Sequence, residues 1–318
     1  MIKYFLIFMS VTVSAFSVEN MTFQELQMAL ESYDANKSIQ IDDTKEIVKK
    51  EVTKKEVTKK IVTKKETKKE TKKVAKSSIK LPTVINKKIS TPNDITIFKD
   101  KKVKPINYLN TVSLNKLQVS EKKQKFFHML LPAILISKQK FKVLRTKAKR
   151  IIQSKNPSAQ DLAFLDKMYK KFRTTDNKEL LSRMKTHPVS IVLAQAAIES
   201  AWGESRFFKE GNNIFGMWSF NKNEPRMRAK GTRNGKAIYV KKYKTLSDAI
   251  DDYFVTIGRG AYKSFRKHRS ITNNPLQLVQ YLVNYCELKG KYTRRLRRFI
   301  IKNKLTKFDS FKLDKKYI

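Results

Sequence analysis

Cysteine occurs once in these 318 residues, at Cys286, so no internal disulfide can form. That residue is expected to be a small buried side chain on a helix. Histidine is nearly as scarce. His128, His187 and His268 stand far apart with no ligand spacing around them, which argues against a metal site, and no cofactor motif is present. Acidic residues are outnumbered, 28 against 70 Lys and Arg, giving a formal charge of +42. After the first 17 residues no apolar run approaches the roughly 20 residues a membrane-spanning helix needs. A disulfide scaffold and a multi-span membrane protein are both excluded on these grounds.

The one long apolar run, Tyr4 to Val13, follows Lys3 and precedes the small residues of Ser14-Ala15-Phe16-Ser17. Residues 1–17 therefore read as an export signal, cleaved after Ala15 or Ser17, and the expected location is the periplasm or cell envelope. Residues 18–44 form an N-terminal segment with no assigned role. Residues 45–80 are of low complexity: EVTKK, EVTKK and IVTKK decay into ETKK, with 15 Lys, 5 Glu and no Gly, Pro or aromatic residue. Such a chain makes no apolar face wide enough to offset its entropy, so a disordered tether or a fleeting helix is expected. It is either a solvated spacer or a means of adhesion to an anionic envelope polymer. Residues 81–118, with Pro82, Pro92 and Pro105, read as an irregular linker.

Removing the 15 Lys and 5 Glu of the repeat still leaves +32, so the rest of the chain is basic too. Arg294, Arg295, Arg297 and Arg298 crowd one C-terminal helix. They could contact phosphates, but export and the lack of any base-reading motif argue against a nucleic-acid partner. An anionic wall or outer-membrane surface is the expected counter-charge.

Regular spacing begins at Glu121. Phe126, Phe127, Leu130, Leu131, Ile134 and Leu135, then Phe141, Leu144, Ala148 and Ile151, keep helical period on either side of Pro132, and a second amphipathic helix starts at Asp161. MRAKGTR and KAIYVKKY flank Asn234-Gly235, a strong hairpin signal. Thr245, with Asp248 three residues on, opens another helix. Asn274-Pro275 opens one that runs through Tyr285, and a last one begins near Tyr292. The fold class is α+β, mostly helical, with a small β-hairpin over a central helix. One domain is expected over 119–310, followed by a basic tail at 311–318.

The central helix is the run from Pro188, which suits a first helical position, to Trp202, before Gly203. It is apolar almost all round, with Ile191, Ala194, Gln195, Ile198 and Trp202 on one face. Glu199 is its only ionisable side chain. An ionised carboxylate there is costly, so its pKa should rise or it should open onto a cleft. A carboxyl protonated near neutral pH is what a general acid needs to cleave a glycosidic bond. A salt-bridged or rim-exposed Glu199 is the structural alternative.

The stretch AAIESAWGESRFFKEGNNIFGMWSF closely resembles the Bax-like branch of the glucosaminidase family, glycoside hydrolase family 73. The match lies in Glu199, Ser200, Trp202 and Gly203, then Asn212, Asn213, Phe215 and Gly216. It implies a lysozyme-like fold and a cell-wall hydrolase, an endo-β-N-acetylglucosaminidase cutting the β-1,4 bond after N-acetylglucosamine in peptidoglycan glycan strands. By the same resemblance Glu199 is the catalytic acid, and no amidase activity is expected. Tyr285 is a candidate for holding water or stabilising the oxocarbenium-like state. Asn213, Phe215, Trp218, Tyr262 and Tyr292 are candidate sugar contacts, while Trp202 is more readily core.

The family's second carboxylate, carried in the hairpin region, has no counterpart in RMRAKGTRNGKAIYVKKY; the nearest is Glu224, whose ordinary role would be a solvated loop residue. A muramidase or lytic transglycosylase, and a non-catalytic wall-binding module, therefore stay open as alternatives.

Overall fold

The structure, a computed structural model, describes residues 79–233 and 235–318. The export signal, the segment 18–44 and all but the last two residues of the repeat at 45–80 lie outside these, as does Asn234 of the hairpin turn.

The first described stretch corrects an expectation. Residues 81–118 are not an irregular linker but a layer of very short strands, β1 (Ile85–Lys87), β2 (Lys102–Val103) and β3 (Ile106–Tyr108). β1 pairs with β3 in parallel, Ile85 opposite Ile106. Ile89, Ile95, Phe98, Val103, Ile106, Tyr108 and Leu114 are all buried. Strands of two or three residues carry no readable period, and the three prolines fit because each falls outside a strand.

α1 (Val119–Ile152) is one helix of 34 residues that runs straight through Pro132. The proline costs it one N–H donor, and burial of nearly every residue from Lys125 to Ser137 offsets that cost. α2 (Ala159–Phe172) is capped by the Ser158 hydroxyl and stopped by Arg173 in the left-handed conformation, φ 53°. α3 (Asn177–Arg183) is capped by Asp176.

α4 (Val189–Glu199) is the central helix, with all eleven residues buried. Pro188 precedes the first helical residue rather than occupying it. The helix also stops three residues earlier than expected. Ala201, Trp202 and Gly203 follow with φ of 49°, 61° and 84°. Only glycine adopts such values cheaply; each of the other two costs roughly 1–2 kcal/mol. The Ser200 hydroxyl closes the turn, donating to the Ala196 carbonyl at 2.6 Å and accepting from the Gly203 N–H at 2.9 Å. At the other end Asp309 accepts from both the N–H and the hydroxyl of Ser190, at 2.8 and 2.7 Å, which satisfies the positive end of the helix.

α5 (Arg206–Gly211) leads through Asn212, left-handed at φ 50°, to the hairpin of β4 (Arg226–Arg233) and β5 (Lys236–Lys241). Arg226 faces Lys241 and Arg233 faces Lys236. Phe207, Met227, Ala229, Ile238 and Val240 make a small core of their own beneath it. α6 (Leu246–Ile257) is capped by Thr245 as expected, and α7 (Lys263–Ile271) follows.

The helix expected from Asn274 to Tyr285 is broken into α8 (Pro275–Leu278) and two 3-10 turns, Val279–Tyr281 and Val283–Tyr285. Cys286 is buried as expected but lies in extended backbone, φ −146°, not on a helix. α9 (Gly290–Lys302) buries Tyr292, Leu296 and Ile300 and exposes its four arginines. The residues expected as a basic tail instead add β6 (Lys312–Leu313), parallel to β2. The whole is α+β and mostly helical, with one antiparallel hairpin, as the periodicity implied.

Gly258, at the end of α6, shows how closely the helices approach. A Cβ there would lie 2.5 Å from the Arg183 carbonyl oxygen of α3, a backbone atom that cannot swing aside. Gly258→Ala is expected to destabilise the fold by about 1–3 kcal/mol. A thermal melt that moves by less than a degree would show that α3 and α6 can separate freely.

Candidate active site

Glu199 is the last residue of α4 and is 2% exposed. The Tyr292 hydroxyl, from α9, donates to its Oε1 at 3.1 Å. Its Oε2 is buried with no hydrogen-bond partner. Burial pushes the carboxyl up from 4.5 to about 8, against the smaller opposing effects of the Tyr292 hydrogen bond and the Arg295 charge. The side chain therefore keeps its proton at neutral pH, on a carboxyl with one oxygen held and the other unpartnered.

Tyrosines wall the acid. The Tyr285 ring stacks on Tyr292 with centroids 5.5 Å apart and 14° between planes, and its hydroxyl is buried without a partner. Tyr262 is 6.4 Å from Tyr285, ring to ring. Burial, and then the charge of Glu199, pushes the Tyr262 hydroxyl up to about 12. Tyr262, Tyr285 and Tyr292, three residues singled out in the sequence, thus converge on Glu199.

Others do not. Phe215 is wholly buried and stacks on Tyr253 at 4.2 Å, so it is core rather than a sugar platform. Asn213 is 1% exposed and fully engaged: its amide donates to the Met217 and Lys241 carbonyls at 3.0 and 2.9 Å, and its oxygen accepts from the Met217 N–H at 2.8 Å. It ties the turn to β5. Trp202 packs among Phe126, Phe127 and Phe299, as a core residue would.

Trp218 and Glu224 line a separate cavity of about 500 Å³, together with Arg173, Phe220, Lys241 and Asp252. Lys241 lies 3.8 Å from Glu224 and 2.9 Å from Asp252, and the Tyr243 hydroxyl donates to Asp252 at 2.7 Å. Glu224 makes no hydrogen bond or ion pair to Glu199. No carboxylate is among the charged groups that act on Glu199 in the described residues; that group is Arg295. Four or more His, Cys, Asp and Glu never gather in a metal-holding cluster among the described residues, nor do three.

With this geometry in view, the comparisons bear on residues 175–305. That segment matches the family model Glucosaminidase, described as mannosyl-glycoprotein endo-beta-N-acetylglucosaminidase. The segment is similar to that family. All the residues around Glu199 fall inside it, whereas α1 and the strands β1 to β3 lie before it.

Protein bax of Escherichia coli (strain K12) is 31% identical over 117 residues, covering 36% of this chain and 40% of that protein. The match thus spans well under half the length of that relative. Among solved structures, the catalytic domain of the autolysin Auto from Listeria monocytogenes is 19% identical, with a TM-score of 0.34, over 52% of this chain and 96% of that one. The glycoside hydrolase domain of FlgJ from Salmonella typhimurium is 23% identical, with a TM-score of 0.30, over 45% and 96%.

The sequence reading missed the residues behind the acid. Gln195 and Tyr253 are buried polar groups joined to Tyr292, and His187 joins them in turn. Gln195 had a visible signal, standing four residues before Glu199 and so on the same side of α4. Asp252, beside Glu224, had none beyond membership of an Asp pair on α6.

Proposed function

We propose that the glucosaminidase domain hydrolyses the glycan of peptidoglycan, as an endo-β-N-acetylglucosaminidase in which Glu199 is the general acid. The observation that carries this reading is a carboxyl protonated at neutral pH, buried at the end of a central helix, with Oε2 unpartnered. The Oε2 proton passes to the glycosidic oxygen as the bond from C1 to that oxygen breaks, leaving Glu199 ionised and the sugar as an oxocarbenium-like centre. The Tyr285 hydroxyl, which has no partner, and that of Tyr262 beside it would bind the sugar or the attacking water. Water adds at C1, and its proton restores Glu199. The segment at 1–17 would deliver the enzyme to the cell envelope.

Among the described residues no carboxylate acts on Glu199, which supports a second route through the same acid. The substrate's acetamido group, or its own C6 hydroxyl, would then take the place of a second carboxylate, the latter giving a lytic transglycosylase. Mass spectrometry of fragments released from purified peptidoglycan separates the possibilities. Reducing N-acetylglucosamine ends are the expected result. Reducing N-acetylmuramic acid ends would point to a muramidase and anhydro ends to a transglycosylase. Binding without any release would make the domain a wall-binding module.

A further inference from the structure

Gln195 and Glu199 are the two polar side chains that α4 carries into the interior after Ser190, one turn apart on one face. Tyr253 of α6 and Tyr292 of α9 bracket them. The contacts run in a line: His187 Nε2 to the Tyr253 oxygen at 2.8 Å, Tyr253 O–H to Gln195 Oε1 at 2.6 Å, Gln195 Nε2 to the Tyr292 oxygen at 3.1 Å, and Tyr292 O–H to Glu199 Oε1 at 3.1 Å.

With the Gln195 amide placed as above, counting hydrogens sets the direction of this line. A phenol has one to give. Tyr253 gives its hydrogen to Gln195, so its oxygen can only accept from His187, which must carry its proton on Nε2. Nδ1 is then bare, in agreement with its having no hydrogen-bond partner. Gln195 accepts on its oxygen and donates from its nitrogen, so the Tyr292 hydrogen is left for Glu199. Every hydrogen in the line points toward the acid.

We propose that Gln195, Tyr253 and His187 are positioning residues that fix the direction of the Tyr292 hydroxyl, so that Oε1 of Glu199 always accepts and the transferable proton resides on Oε2. The inference rests on Glu199 being the acid. If the Gln195 amide turned over, its oxygen would face Tyr292, whose hydrogen would turn away from Glu199. The reversed line would need the His187 proton on Nδ1, a buried N–H with no acceptor; with the proton on Nε2 the Tyr253 oxygen is occupied and Tyr253 has only a hydrogen to offer the amide. Both phenol rings are themselves held, Tyr253 on Phe215 and Tyr292 on Tyr285, so their O–H rotation is the main remaining freedom. His187 stays neutral because burial, with Arg269 and Lys138 nearby, pushes its pKa well below the usual range. The titratable and charged groups whose electrostatics couple to Glu199 are Tyr292 and the exposed Arg295 of α9, Tyr253 of α6, and Tyr262, Tyr285 and Cys286.

The test is the titration of Glu199 in the full chain carrying carbon-13-labelled glutamate, followed by NMR and assigned by its loss in Glu199→Gln. Tyr292→Phe removes a hydrogen bond that favours the ionised form, so the midpoint is expected to rise. Tyr253→Phe should raise it in the same direction and by less, and the double variant should match Tyr292→Phe alone. Where glycan is cleaved, the alkaline limb of kcat/KM should follow these midpoints, with kcat falling roughly threefold to tenfold and KM unchanged. An unmoved midpoint in a folded Tyr253→Phe protein overturns the proposal, and so do additive shifts in the double variant.

The wild-type chain supplies a reading that needs no variant to fold. Nuclear Overhauser contacts from the Gln195 amide protons should go to the Tyr292 ring; contacts to the Tyr253 ring instead would reverse the line and overturn it. A chain that titrates as expected in a protein that cleaves no glycan would sink the enzymatic reading and leave the line of hydrogen bonds intact.

Discussion

Glu199→Gln is expected to release no soluble fragments from peptidoglycan and, in the same protein, to raise the melting temperature above pH 7. Loss of a positioned general acid costs on the order of 10²–10⁴ in rate. The stability gain follows from linkage. Glu199 titrates at about 8 when folded against 4.5 in a model environment, so between those values the folded state holds a proton that the unfolded state has lost. Stability contributed by this group is thus fully present below pH 4.5 and is lost as pH rises to about 8. At ~1.4 kcal/mol per pH decade, the wild type forfeits on the order of 5 kcal/mol at most.

Two buried histidines oppose it on the acid side. His128 is pushed down to about 4 by burial and by Lys307, and His187 well below the usual range by burial, with Arg269 and Lys138 nearby. Both destabilise the fold as pH falls below 6.5, where the unfolded chain takes up protons that the folded one refuses. From these three groups, wild-type stability should peak near pH 6.5, and Glu199→Gln should flatten the alkaline side while steepening the acid side between pH 4.5 and 6.5. Melts from pH 5 to 9 check this; an unchanged alkaline slope in the variant would mean that Glu199 ionises freely in the folded protein.

Asn213→Ala is the second large effect, and it separates two roles. As a sugar contact, Asn213 would affect KM and leave the fold alone. In the structure it instead makes three hydrogen bonds inside the turn; its removal strands the half-buried Met217 N–H and takes a donor from the Lys241 and Met217 carbonyls, of which the second keeps the Lys241 N–H. The expected outcome is a loss of roughly 2–4 kcal/mol, seen as a lower melting temperature, with KM of the folded fraction unchanged. A raised KM at an unaltered melting temperature would return Asn213 to the substrate.

This contrast marks what the sequence could reveal. Glu199 was legible because one charge in an apolar helix is costly anywhere, and the hairpin was legible because Gly235 sits at φ 71° after alternating residues. Tyr262, Tyr285 and Tyr292 could be singled out by pattern, yet their convergence on one carboxyl depends on where α6, α8 and α9 pack. Phe215 and Asn213 were read as sugar contacts because a motif gives identity and not burial. The strands of 81–118 left no periodic trace, since their pairing partners include residues more than 200 positions away, as in Val103 opposite Leu313. Gln195 was visible on the acid's face, but its partner Tyr253 looked like one more apolar position of α6.

The pairing of β2 with β6 has a mechanical consequence. Tension on the chain preceding Ile79 enters the fold where Gln139 of α1 holds the Lys80 carbonyl and where Thr83 donates to Tyr317. From there the load passes through β1 and β3 to α1 and, through β2, to the C-terminal strand. α4 joins that line only at its first turn, where Asp309, three residues before β6, holds Ser190; Glu199 is at the other end of the helix. A domain dragged by its leading segment along a surface would bear the strain in its short strands and keep the geometry of its acid undistorted.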